Sequence, residues 1–303
     1  MMPNPDYLVR ATAHDGLVRA FAINAKGVVS DLHHIHDTEP AVTAAIGRLA
    51  AGALLFGAMQ KEKHHAVSLR VRGDGPAGTL LATANGNGEV RGLVANPKTG
   101  IEQVKDNGKL NVSGVVGTTG RLTVTRDLGL RQPYAGIVQL VSGEIGDDIA
   151  HYLASSEQTP SAVGLGVFVD RDGVVAAGGY IVQLMPGVAD RTAADIESTI
   201  AALPHPTRML RDGDSPEDVL GHIFGADFDL LERVPVRFHC PCSRERVERA
   251  ILLLGATEIH GIMEQDRAKG FTEVTCEFCT ARYTIPIEQI EEIAANAASK
   301  SSP

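Results

Sequence analysis

The chain has 303 residues, 44% of them apolar, a mean hydropathy of -0.00 and a formal net charge of -9. It can therefore fill a real core, and its charge repels phosphate backbones and anionic membranes, so neither nucleic acid nor a membrane is an expected partner. Trp is absent and aromatics make up only 4%, which leaves Val, Ile, Leu and Ala to build the core.

The chain opens Met1-Met2-Pro3-Asn4-Pro5-Asp6, without the basic region and apolar stretch of a secretory signal. A cytoplasmic protein is expected. Residues 7–36 read as strands, with period-2 alternation at Leu17, Arg19, Phe21 and Ile23. Residues 41–60 read as a buried helix, Val42, Ile46, Leu49, Leu54 and Met59 lying among Ala and Gly. The longest apolar run, residues 49–59, is too short to span a bilayer. Asn85-Gly86-Asn87-Gly88 between two apolar strands predicts a hairpin, because Asn and Gly tolerate positive φ. Strands at 122–125 and 137–141, a helix at 145–156 and a hairpin at 163–184 continue the pattern. Strands and helices mixed without regular alternation predict an α+β fold, with a large N-terminal domain over residues 1–186.

After Pro186 the character changes. Residues 187–233 hold ten acidic residues against four arginines and no lysine. Ile196, Ile200 and Leu203 share a helical face, and Ser215-Pro216-Glu217-Asp218 is an N-cap followed by proline at the first helical position. Pro204, Pro206, Gly213, Gly221 and Gly225 keep the helical pieces short, so this reads as a marginally stable helical linker. Residues 234–287 form a third, small region: alternation at Val234, Val236 and Phe238, a helix capped by Ser243 and stopped at Gly255, a second helix around Ile259 and Met263, and a hairpin at 271–275 and 282–285. Ile287, Ile290 and Ile293 mark a last helix in 288–303 before a polar tail.

All four cysteines lie in that third region, as Cys240-Pro241-Cys242 and Cys276-Glu277-Phe278-Cys279. Clustered thiols in a reducing compartment suggest metal or redox chemistry rather than a disulfide scaffold. Zinc takes four soft ligands in a tetrahedron, and two close-spaced pairs supply them. Spacing alone leaves two readings open, a structural zinc ribbon and a metal site that also senses oxidants. Physical chemistry favours the second. A region this small has a marginal core, and a structural zinc is worth roughly 10–16 kcal/mol of folding energy in peptides. Thiolates are at once the ligands and the nucleophiles toward peroxide. Oxidation to the near bridges, Cys240–Cys242 and Cys276–Cys279, would release the ion, unfold the region and withdraw support from the linker.

Longer segments carry a family likeness: residues 52–59 (GALLFGAM), 81–97 (LATANGNGEVRGLVANP), 136–145 (GIVQLVSGEI), 156–168 (SEQTPSAVGLGVF), 177–186 (AGGYIVQLMP), 240–250 (CPCSRERVERA) and 276–279 (CEFC). Over essentially its whole length the chain resembles the redox-regulated holdase chaperones, the thirty-three-kilodalton heat-shock proteins. The resemblance implies a cytoplasmic, non-enzymatic protein, inactive when reduced with one zinc held by Cys240, Cys242, Cys276 and Cys279. It implies that oxidation forms two disulfides between neighbouring cysteines, ejects zinc and unfolds the zinc domain with its linker. The exposed surface then binds unfolding client proteins without ATP, commonly as a homodimer, and clients pass to ATP-dependent chaperones after reduction.

Other motifs offer less. His33-His34-Ile35-His36 and His64-His65 have no carboxylate or thiol at ligand spacing and read as surface or packing residues. His239 adjoins Cys240, but four thiols already fill a closed site. Residues 86–92 resemble a dinucleotide loop, but a strand follows where a helix is required. A zinc-ribbon nucleic-acid binder is the main rival class; residues 236–286, with seven basic and seven acidic side chains, offer phosphates no net attraction.

Overall fold

Alternation at the start of the chain produces β1 (Tyr7–Ala13) and β2 (Val18–Asn24), paired antiparallel from Tyr7↔Asn24 to Ala13↔Val18. The computed structural model describes residues 6–129 and 132–292. Residues 26–36, expected to continue the strands, instead form α1 (Lys26–His36): Val28, Val29 and Leu32 fall on one helical face and are buried. Then comes α2 (Pro40–Ala58), with proline in its first turn. It packs on strands of both large sheets. Gly57 permits one of these approaches, since a Cβ there would lie 2.6 Å from the carbonyl oxygen of Asn85. The run 49–59 understates this helix. Counting its alanines, α2 is long and apolar enough to cross a membrane (19 residues, mean hydropathy 1.6), yet 94% of that stretch is buried inside the protein.

Further along lie β3 (Ala66–Gly73), β4 (Thr79–Asn85), β5 (Glu89–Val94), α3 (Val112–Val116), β6 (Gly120–Asp127), β7 (Tyr134–Gln139), α4 (Gly146–Ser155), β8 (Ser161–Asp170) and β9 (Gly173–Leu184). The β4–β5 turn is the expected hairpin: the Asn85 side-chain oxygen accepts from the N–H groups of Asn87 and Glu89, and Gly88 takes φ +79. Two large sheets result, one ordered β10 (Phe228–Pro235)-β1-β2-β9-β8 and the other β11 (Arg237–Phe238)-β5-β4-β3-β6-β7. The fold is α+β, as the mixed pattern predicts.

The acidic stretch supplies α5 (Asp190–Ala202), α6 (Pro206–Asp212), α7 (Pro216–Phe224) and β10 (Phe228–Pro235). The expected cap is present, with Ser215 and Asp218 bonding reciprocally at the start of α7. Strand faces explain why these helices fold where they do. In β1 and β2, Leu8, Phe21 and Ile23 point into the core around α2, while Val9, Ala11, Val18, Ala20 and Ala22 point the other way. That second face is covered by Ile196, Met209, Val219, Leu220 and Ile223 from α5–α7. Part of the acidic stretch is strand, not helix: β10 pairs antiparallel with β1, Tyr7↔Pro235 to Ala13↔Phe228; just beyond the stretch, β11 pairs parallel with β5. Residues 234–238 therefore complete two sheet edges, and the chain divides into two compact units between His239 and Cys240.

The second unit holds α8 (Arg244–Leu252), α9 (Ala256–Asp266), β12 (Phe271–Thr275) and β13 (Arg282–Pro286). Gly255 precedes α9 as its N-cap; α8 itself ends at Leu252. Residues 287–292 are helical and include Ile287 and Ile290. Ile293, the polar tail and residues 1–5 lie outside the described residues.

Candidate metal centre

The first cysteine pair sits in a short, constrained connection. Pro241 fixes one backbone angle between the two thiols. Directly after them the Ser243 hydroxyl accepts from the Arg246 N–H at 3.3 Å and caps α8. The second pair lies on the turn of the β12–β13 hairpin, registered from Phe271↔Pro286 to Thr275↔Arg282. Within that turn the Cys276 N–H donates to the Ala281 carbonyl at 2.9 Å, and the Thr280 N–H donates to the Cys276 carbonyl at 2.8 Å. Thr280 is left-handed, at φ +58. A β-branched residue adopts that conformation at a cost of roughly 1–2 kcal/mol, which the turn must hold.

All four sulfurs lie within 4.8 Å of one another, and all four cysteines are free thiols. Cys240 Sγ is 3.7 Å from Cys276 Sγ, and Cys242 Sγ is 3.3 Å from Cys279 Sγ. A tetrahedral zinc with bonds of about 2.3 Å needs sulfur–sulfur edges of about 3.8 Å. The donor set is soft and has the right number, the two cross-segment sulfur distances lie within about 0.5 Å of that edge, and no sulfur pair exceeds 4.8 Å. The residues fit a four-thiolate zinc.

Two side chains outside the cysteine set brace the site. The Tyr283 hydroxyl donates to Cys242 Sγ at 3.1 Å. Arg244 donates to the Thr284 carbonyl at 3.1 Å, to Gln289 at 2.6 Å and to Glu248 at 3.1 Å, fastening the start of α8 to β13 and to residues 287–292. These contacts shape the proton affinities. Burial pushes the Cys240 and Cys279 thiols up. Burial acts the same way on Cys242, but the Tyr283 hydroxyl and the neighbouring sulfurs outweigh it and bring that thiol down to about 7. Tyr283 is correspondingly pushed up to about 12, chiefly by its bond to Cys242. Around this centre the apolar packing is slight: Ile251, Ile259, Met263, Ile285 and Ile290 are buried, with Val247, Leu252 and Val274 against them.

Among the described residues no other set of three or more Cys, His, Asp or Glu side chains converges in this way. His33 faces the hydroxyls of Thr38 and Thr43 at 3.3 and 3.2 Å, and His36 meets the Gly92 carbonyl at 2.9 Å, so these histidines are packing groups. His64 and His65 contact each other edge to face. The His239 N–H donates to the Val90 carbonyl, extending the β11–β5 pairing. Tyr283 and Arg244 are absent from the sequence reading. The Tyr283 bond spans 41 residues, and the one available signal is that Tyr283 follows Cys279 in the strand that leaves the turn.

Comparison with known proteins points one way. A model of the family described as Hsp33 protein matches residues 6–286. The 33 kDa chaperonin of Bacillus velezensis is 43% identical over 289 residues, covering 95% of this chain and 98% of that protein. That of Bacillus subtilis is 44% identical over 287 residues, covering 94% and 97%. Among solved structures, the 33 kDa chaperonin (heat shock protein 33 homolog) of Thermotoga maritima superposes with a TM-score of 0.88 at 34% identity, covering 98% of this chain and 100% of the other.

Proposed function

This chain belongs to the Hsp33 protein family, and from that premise we propose that it is a redox-regulated, ATP-independent holdase chaperone, inactive when reduced and zinc-bound. The reading is carried by the convergence of four thiols within 4.8 Å in a unit whose apolar core is otherwise so small. When bound, zinc supplies four bonds that tie the two cysteine segments together, worth roughly 10–16 kcal/mol of folding energy in small peptides. Cys240, Cys242, Cys276 and Cys279 are its ligands, one ion per chain, and also the groups an oxidant attacks.

Within each segment one thiolate attacks peroxide: an S–O bond forms, the O–O bond breaks and hydroxide leaves. Its neighbour then attacks that sulfur, the S–S bond forms and a second hydroxide leaves. Two thiolates are oxidised and one peroxide is reduced. The family resemblance implies Cys240–Cys242 and Cys276–Cys279 as the pairs, each closing inside its own segment. A bridge such as Cys240 to Cys276 would span 36 residues and keep the unit folded.

Loss of the unit reaches the linker through the chain itself, since His239 alone separates β11 from Cys240. Both β10 and β11 are edge strands, and α5 buries only Ile196 among its described side chains. The ion pairs holding this stretch, such as Arg10–Glu232 and Lys63–Glu232, are partly exposed and each is worth little. Departure of α5–α7 would uncover Val9, Ala11, Val18, Ala20, Tyr180 and Val182 on one face of a sheet, together with the helices' own apolar side chains. An exposed apolar surface of this kind holds unfolding clients without ATP. The same surface would favour a homodimer of oxidised chains, and reduction, which rebuilds the cover, would release clients to ATP-dependent chaperones in the cytoplasm.

The test compares the two redox states. Reduced protein should carry one zinc per chain, and peroxide should release it as four thiols disappear. Serine at any one of the four cysteine positions should weaken zinc binding. Oxidised protein should suppress light scattering by a heat-denatured client enzyme, and reduced protein should not. Equal protection in both states would overturn the switch.

A further inference from the structure

The contact between Tyr283 and Cys242 is placed by two independent restraints. The Val274↔Tyr283 pairing fixes the tyrosine's position along the hairpin, and Arg244 fastens the next residue, Thr284, to the beginning of α8, two residues beyond Cys242. Donor and acceptor are thereby held at 3.1 Å although they come from different cysteine segments. A thiolate reacts through a lone pair. A hydroxyl that donates to the sulfur occupies one lone pair and draws off charge, so it lowers reactivity toward electrophiles while helping to orient the ligand.

We propose that Tyr283 is a positioning residue that sets the pace of the switch: its hydroxyl restrains Cys242, so that oxidation of the first cysteine segment waits until this hydrogen bond opens. The inference rests on the redox reading above and adds to it a residue that is neither ligand nor nucleophile. The restrained step is the first of the two already described, attack of the Cys242 sulfur on peroxide with loss of hydroxide. The following attack by Cys240, which forms the S–S bond and expels the second hydroxide, needs nothing from Tyr283.

The experiment uses the full-length, reduced, zinc-loaded protein as wild type, as Tyr283→Phe, and with a ring-fluorinated tyrosine at position 283, a stronger donor of nearly the same shape. Each is exposed to peroxide while released zinc is followed with a colorimetric chelator, and quenched samples are mapped by mass spectrometry for the order in which the four cysteines are modified. Tyr283→Phe should release zinc about tenfold faster, in the range seen when a partner of a metal ligand is removed, with Cys242 becoming the first cysteine modified. The fluorinated side chain should release zinc more slowly than wild type. Unchanged rate and order in Tyr283→Phe would overturn the proposal. Acceleration of all four cysteines together would also overturn it, since that marks a loosened fold and not a restraint on one sulfur. Should Tyr283→Phe fail to retain zinc, the fluorinated protein decides: slower release supports the restraint and an unchanged rate refutes it. Wild-type protein that keeps its zinc under peroxide would instead remove the redox reading itself.

Discussion

The two units of this chain are stabilised in different ways. The first is organised around α2, a helix buried on all sides against strands from both sheets. Its Leu49, Leu54, Leu55 and Phe56 have no solvent exposure. The second has helices and a hairpin of its own, but among the described residues its core is little more than four isoleucines and a methionine. At that size apolar burial leaves almost nothing after chain entropy is met, and in the proposed reading a zinc ion held by the four sulfurs would supply the rest. Under the proposed redox reading, this arrangement would confine the chemical vulnerability to one part of the molecule, while the surface to be unveiled would be carried by a part that stays folded.

The largest test of this contrast is removal of the metal. Chelation of the reduced protein should cost the second unit roughly 10–16 kcal/mol. Amide protection should then vanish over α8, α9, β12 and β13 and persist in α2 and the strands around it. Hydrogen exchange reads both at once, and a second unit as protected as before would erase the distinction. The reciprocal perturbation is Leu54→Ala, which leaves a cavity in the buried helix and should cost about 2–5 kcal/mol in denaturant unfolding of the first unit. Zinc content should not change; loss of zinc would mean that the two units are not independent.

Smaller effects sharpen the comparison. Thr280→Gly removes a left-handed β-branched residue from the ligand turn and should strengthen the zinc-bound form by roughly 1–2 kcal/mol. The readout is competition with a chelator of known affinity, and equal or weaker binding would show that the turn bears no strain. Acid should act on the linker. Burial raises the Glu217 carboxyl, but bonds from Tyr7 and Arg233 outweigh it, so it titrates below its ordinary 4.5. Bonds from the Ser215 hydroxyl and amide hold Asp218 below 3.8. A carboxylate depressed in the folded state adds stability above its unfolded value and loses it as pH falls through the folded value. Below about pH 4.5, exchange over α6 and α7 should therefore rise, by less than about 1 kcal/mol because the pairs are partly exposed. Identical exchange at pH 6 and pH 3 would show that these carboxylates do not stabilise the linker.

Signals that act within a few residues were legible in the chain itself. Two close cysteine pairs, the serines that cap α7 and α8, the Asn-Gly turn between β4 and β5 and the apolar periodicity of α2 each specify local geometry. They were enough to name the four thiols that converge and an α+β class. Tertiary structure alone decided the rest. Alternation in β10 is compatible with any sheet edge, and its pairing with β1 joins positions 222 residues apart at Arg10 and Glu232. Residues 26–36 carry apolar positions that suit strand or helix until packing chooses. The apolar face beneath α5–α7, and the tyrosine that reaches Cys242, exist only once distant segments meet. Local spacing cannot encode such contacts, because each is selected by the burial and hydrogen bonding available in the assembled fold.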